Sequence, residues 1–175
     1  MHDGSLLARF EQAILPHLDA AHNLARWLTR SDQDAEDVVQ EACLRAFRFF
    51  GNFRGGDGRT WLLAIVRNTA YTWIKKNRAP GQVTSFDEDQ HAPVSTDGDP
   101  EALLQRNEDA DMLRAALDTL PTEYREVVVL RELEELSYKE IAQIAGIPVG
   151  TVMSRLARGR ERLQQVLIER QKKDR

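Results

Sequence analysis

The 175-residue sequence predicts an all-α fold: two small helical domains joined by a flexible acidic linker, the second containing a helix-turn-helix. Three features carry that expectation. Apolar residues recur at helical spacing, and no stretch alternates with a period of two for more than a few residues. From Gln82 to Asp99, serines, threonines, acids, Pro93 and Gly98 displace the apolar residues a core needs. The run LSYKEIAQIAGIPVGTVMSRLARGRER, Leu136 to Arg162, holds a helix start, a turn and a second, arginine-rich helix. The domains are placed at 1–80 and 101–175, with the linker at 81–100.

In chain order, a first helix is expected from Leu6 to Ile14, ended by Pro16, which lacks an N–H and clashes with the preceding turn. A second runs from about Leu18 to Thr29. Ser31 or Asp32 caps a third that continues to about Phe49. Its inward stripe is Ala35, Val38, Val39, Ala42, Ala46 and Phe50, with Cys43 on the inner side as a small core residue. Asp37, Glu41 and Leu44 point the other way, with Asp34 nearby. A leucine inside an exposed acidic patch fits a docking surface; the pattern also fits a solvated acidic face. The loop from Gly51 to Gly58 has four glycines, whose tolerance of unusual φ suits a pocket for an extruded base. A fourth helix follows, about Arg59 to Asn77, with Trp61, Leu62, Ile65, Val66, Thr69 and Trp73 mostly core. It ends basic at Lys75, Lys76 and Arg78, which also complements the helix dipole. Beyond the linker come a helix from about Glu101 to Thr119, a break at Pro121, and a helix from Thr122 to about Glu134.

In the helix-turn-helix, Ser137 and Glu140 make a capping box, and Leu136 with Ile141 makes the hydrophobic staple. Ile141, Ala142 and Ala145 form a short apolar face. Gly146 supplies positive φ at the helix end. Ile147 plugs the corner and Pro148 helps start the next helix. Laid out at 3.6 residues per turn, Val152, Leu156 and Leu163 pack inward with Val149 nearby. Thr151, Ser154, Arg155, Arg158 and Arg162 share the outer face, and Arg160 lies on its other flank with Met153. Arginine bonds two acceptors on guanine or grips a phosphate, so this face fits the major groove of DNA.

The net charge of −4 is unevenly spread. The segments from Val149 to Arg175 (+5) and Arg67 to Arg78 (+4) are basic, whereas Ser31 to Glu41 (−5) and Ser85 to Asp111 (−8) are acidic. That pattern implies nucleic acid on one side and a basic partner on the other. The acidic linker could also lie against the basic last helix and weaken DNA binding. The single cysteine excludes an internal disulfide and fits a reducing cytoplasm. No signal peptide, membrane insertion, cofactor, metal spacing or catalytic constellation is expected, and no small-molecule substrate or enzymatic activity.

Two stretches carry a resemblance. DAEDVVQEACLRAFR with FRGGDGRTWLLAIVRNTA, Asp34 to Arg48 and Phe53 to Ala70, resembles the first conserved domain of bacterial sigma factors. The run from Leu120 to Leu163 resembles their last, and the order without a middle domain is similar to the extracytoplasmic-function group. The resemblance implies a promoter-specificity subunit of bacterial RNA polymerase, with core polymerase, promoter DNA and an anti-sigma factor as partners. It implies core binding by Asp34, Asp37, Gln40, Glu41 and Leu44. It implies −10 recognition by Phe53, Arg54, Gly55, Gly56, Asp57, Arg59, Thr60, Asn68, Tyr71, Lys75 and Arg78. For the −35 element it implies Thr151, Ser154, Arg155 and Arg158, with Arg160 and Arg162 on phosphates. Met153 departs from the Lys or Arg of many relatives, and no further domain is expected after Arg175. The alternative is a stand-alone helix-turn-helix regulator of duplex operators.

Overall fold

The computed structural model describes residues 2–77 and 105–174. The linker and Arg78 therefore lie outside the described residues. Eight α-helices and three short 3₁₀ or π turns make up the described chain, with no strand among them.

In the first domain, α1 (His2–Ile14) runs into a 3₁₀ turn, Leu15–His17, where Pro16 sits in its first positions. Helix α1 begins four residues before the expected Leu6. Next come α2 (Leu18–Thr29) and α3 (Asp32–Arg48). Between them Arg30 adopts φ 64° and its N–H reaches the Arg26 carbonyl at 2.8 Å, a left-handed cap made without glycine. The Ser31 hydroxyl then accepts the Asp34 N–H at 3.3 Å and starts α3. A 3₁₀ turn, Phe50–Asn52, and the glycine loop lead into α4 (Gly58–Asn77). Gly58 is required there by contact: a Cβ would collide with the Ala13 carbonyl oxygen of α1.

The second domain holds α5 (Gln105–Asp118), α6 (Thr122–Val128), α7 (Tyr138–Ala145) and α8 (Val149–Lys173). The single helix expected over 122–134 changes winding: α6 passes into a π turn at Val129–Leu133, closed by the Glu134 N–H to the Val129 carbonyl at 3.1 Å. Buried Arg125 donates to the Leu120 carbonyl at 3.0 Å, filling orphan acceptors at the end of α5. Its burial pulls the guanidinium down to about 9. Helices α6 and α8 approach closely at Gly159, where a Cβ would stand 2.8 Å from Val128 Cγ2.

The domains pack on each other through α4 with α7 and α2 with α6, and a continuous apolar cluster runs from Ile14, Leu24 and Leu62 to Leu130, Ile141 and Leu156. The stripe Ala35, Val38, Val39, Ala42, Ala46 and Phe50 is buried as expected. Helix α4 buries more than its expected stripe. Leu63 and Ala70 are also fully covered, because α4 packs against α2, α3 and α7.

Candidate polymerase and nucleic-acid interfaces

The outer face of α3 is open. Asp37, Gln40 and Glu41 are exposed, Asp34 is half-buried at the first turn, and Leu44 is 64% exposed. Glu41 accepts from Arg45 at 3.1 Å, leaving its other oxygen outward. Phe47 and Phe49, 43% and 51% exposed, extend the apolar spot around Leu44. Sequence reasoning missed them, although Phe47 lies one turn beyond Leu44 at i+3. Phe47 packs edge-on against Phe10 at 5.3 Å, so part of its ring is fixed. Cys43 is half-buried, and burial raises its thiol pKa.

The loop divides by role. Gly55 and Gly56 take φ 83° and 90°, as the turn requires, and are exposed with Arg54 and Asp57. Phe53 instead faces inward, stacked on Phe50 at 5.4 Å and beside Trp61 at 5.2 Å. It anchors the loop to the core. Asp57 caps α4 by accepting the Arg59 N–H at 3.0 Å and the Thr60 hydroxyl at 2.5 Å. The Thr60 bond holds the Asp57 carboxyl below its usual value against the opposing effect of burial.

Several residues expected on the −10 face of α4 meet the second domain. Arg59 donates to the carbonyl and carboxylate of Glu134, and the Thr60 hydroxyl, whose proton goes to Asp57, lies 3.4 Å from a Glu140 oxygen. The Tyr71 hydroxyl donates to Glu126 Oε2 at 2.9 Å, and Arg67 Nε donates to Oε1 at 2.6 Å. The Arg67 guanidinium also lies over the Tyr71 ring, 3.8 Å from its centroid. Glu126 is fully buried. Burial raises its pKa although Arg67 and Tyr71 oppose that shift. Burial lowers Arg67, and the charge and hydrogen bond of Glu126 together with Tyr71 more than reverse it; burial, then Glu126, pushes Tyr71 well above the usual phenol range. Asn68 and Lys75 stay exposed. Sequence reasoning missed this cluster. Its one signal is an acid, Glu126, opening the apolar run Val127 to Leu130.

The helix-turn-helix forms as its local signals require. Ser137 accepts the Glu140 N–H at 3.1 Å, and Glu140 accepts the Ser137 N–H at 3.0 Å. Gly146 sits at φ 68°. Val152 and Leu156 are buried and Leu163 half-buried, but Val149 is 41% exposed, since it opens the helix before the core begins. Ser154 and Arg158 are exposed; Thr151 and Arg155 are half-buried. Arg160 pairs with Glu132 at 2.6 Å, and Arg162 lies over the Tyr124 ring at 5.1 Å. These last two contact the domain itself, while Ser154 and Arg158 are exposed on the outer face.

Residues 13–79 match the family model for sigma-70 region 2, and residues 110–163 match that for sigma-70 region 4. The RNA polymerase sigma-H factor of Pseudomonas aeruginosa is 39% identical over 143 residues, 77% of this chain and 74% of that protein. The chain belongs to the extracytoplasmic-function group of the sigma-70 family. The ECF RNA polymerase sigma factor SigE of Mycolicibacterium smegmatis is 34% identical over 95% of this chain, and the match spans 65% of that relative's length. Two solved structures share the fold. One is the sigma factor RpoE in complex with the anti-sigma factor NepR from Bartonella quintana, with TM-score 0.69 and 30% identity over 91% of this chain and 96% of that one. The other is CnrH in complex with the cytosolic domain of CnrY, with TM-score 0.63 and 26% identity over 91% of this chain and 88% of that one. Among the described residues, no helix of this sigma factor is long and apolar enough to cross a membrane, and no cluster of metal ligands occurs.

Proposed function

We propose that this sigma factor docks on RNA polymerase core through the α3 face, selects promoters through its loop, α4 and α8, and performs no bond chemistry of its own. The observation that carries the reading is the pairing of an exposed acidic, leucine-bearing face on α3 with an exposed Ser154–Arg158 face on α8, within regions 2 and 4 in the family's order. Asp34, Asp37, Gln40, Glu41 and Leu44 meet a basic surface of the core enzyme. Arg54, Gly55, Gly56, Asp57, Arg59, Thr60, Asn68, Tyr71, Lys75 and Arg78 meet the −10 strand, with Phe53 holding the loop in place. Thr151, Ser154, Arg155 and Arg158 read the −35 duplex. Arg160 and Arg162 reach phosphate only by leaving Glu132 and Tyr124. Each grip is weak alone; core polymerase fixes their spacing and turns the second contact into an intramolecular one. An anti-sigma factor controls the chain by covering these faces, in keeping with the complexes formed by its structural neighbours.

The test is co-elution of the full chain with sigma-free bacterial core polymerase. The chain should run with core, and Asp37→Arg/Glu41→Arg, on exposed positions, should fold normally and elute alone. Co-elution of neither would return the chain to the stand-alone regulator reading.

A further inference from the structure

We propose that Met153, backed by Val149, reads the 5-methyl group of a thymine in the major groove of the −35 duplex. This rests on the sigma-factor reading above and deepens it, naming a base that the α8 face selects and adding two apolar side chains to that face.

The outward side of α8 has two unlike halves. At 3.6 residues per turn, Ser154 and Arg158 lie on one half, Val149 and Met153 on the other, and Gly150 and Ala157 run between them. All six are exposed. The first half offers a hydroxyl and a guanidinium, which bond polar atoms on base edges. The second half offers no donor. Met153 is 52% exposed, and its side chain is an unbranched, adaptable thioether. It can neither pair with a phosphate nor bond the acceptors of guanine. The apolar feature that base edges present in the major groove is the thymine methyl group, and apolar side chains are what read it. Val149 lies one turn before Met153, at i and i+4, so the two form a single apolar spot. Both fall in the first two turns of α8, the end of the second helix that contacts base edges in helix-turn-helix proteins. Gly150 and Ala157 keep the ground between the halves low. A Cβ at Gly150 would meet nothing in this chain, so no internal contact calls for glycine there; its absence lets the helix backbone approach a base pair. An exposed apolar pair also suits a protein partner. Its continuity with Ser154 and Arg158 across this low strip favours the duplex.

The experiment reconstitutes the full chain with core polymerase and selects binders from a randomised promoter-length duplex library. The duplex chosen by the wild type is remade with deoxyuridine in place of one −35 thymine at a time, on either strand. That change deletes the methyl group and leaves every hydrogen-bonding edge intact. At one or two of these thymines the wild type should lose about fourfold in affinity, the effect of removing one methyl group from apolar contact. Met153→Ala should bind the thymine duplex about fourfold or more weakly and hold thymine and deoxyuridine equally at those positions, with the wild-type response kept at all others. Met153→Leu should keep the methyl response and Met153→Lys should lose it, whatever its charge adds to overall affinity. All three variants sit on an exposed position and should keep the wild-type helical content. A selected −35 element without A·T pairs, or a wild type indifferent to deoxyuridine at every −35 thymine, would overturn the proposal. So would a methyl response in Met153→Ala equal to that of the wild type. Loss of core co-elution by Met153→Ala would overturn it in favour of a protein contact. Failure of the sigma reading is read separately, by absence of the wild type from the core complex, and would overturn the −35 assignment with it.

Discussion

Helices α3 and α4 pack against one another and meet opposite fates. The outer face of α3 carries Asp37, Glu41 and a largely exposed Leu44 and stays open to solvent among the described residues; the outer face of α4 carries Arg59, Arg67 and Tyr71 and meets the second domain. Charge explains the difference. The second domain offers Glu126, Glu134 and Glu140 toward this side, which attract the donors of α4 and would repel the acids of α3. A face left open in the closed chain is available to a first partner, and a face closed by the chain's own acids waits for a second. Under the proposed function, that order is core polymerase and then promoter strand.

The largest effect on this contrast should come from Tyr71→Ala. Removing the ring deletes the Arg67 platform and leaves buried Glu126 with one donor. Truncation of a packed aromatic together with a broken buried bond costs about 3–5 kcal/mol. Thermal unfolding should show either a midpoint lowered by that order or a new, earlier transition as the domains separate. A midpoint within a degree of wild type would mean that the seal contributes little to holding the chain closed.

A smaller effect follows from pH. Burial raises the Glu126 carboxyl above its ordinary value in the closed form, so the closed form binds the proton more readily than the open one. Its contribution is fully present below the ordinary glutamate value and is lost as pH rises through the raised one. Domain closure should therefore be tighter at pH 5 than at pH 8. The charged or titratable neighbours are Arg67, Tyr71 and Glu123, and the first two stay protonated across that window. Glu126→Gln should flatten the difference in scattering radius between the two pH values. An equal slope in that variant would assign the dependence to another group.

The same contrast separates what the sequence showed from what it hid. The Ser31 cap, the Ser137–Glu140 box and Gly146 depend on partners no more than four residues away, and all were legible. The α3 stripe was legible for a related reason: one side of the helix is buried and the other is not, so the period of 3.6 stands out. Helix α4 is buried on several sides, which blurs that period and hid Leu63 and Ala70. The bonds of Glu126 to Arg67 and Tyr71 cross more than fifty positions, and nothing local in the sequence pairs them. Gly58 and Gly159 were hidden likewise, since each is required by a helix distant in sequence. The outward arginines of α8 were legible as a face, but Glu132 and Tyr124, which hold Arg160 and Arg162, were not.

The smallest effect on stability should be the most telling about function. Leu44→Ala removes an isobutyl group that is 64% exposed and is not a member of the buried core. Such surface changes stay within about 0.5 kcal/mol, and alanine is the better helix former, so the midpoint should hold or rise slightly. Binding is a different matter. An exposed apolar side chain one turn from Glu41 and beside exposed Phe47 has the arrangement of an interface anchor, whose truncation costs about 1–2 kcal/mol or more when a partner desolvates it. Titration of core polymerase should therefore weaken by about tenfold while the melting curve is unmoved. Unchanged affinity would make the α3 face an ordinary solvated surface and shift the docking contact toward Phe47 and Phe49. Loss of affinity without loss of stability is the result a packing role could not produce. It would establish that the open face of α3 is kept open for a partner.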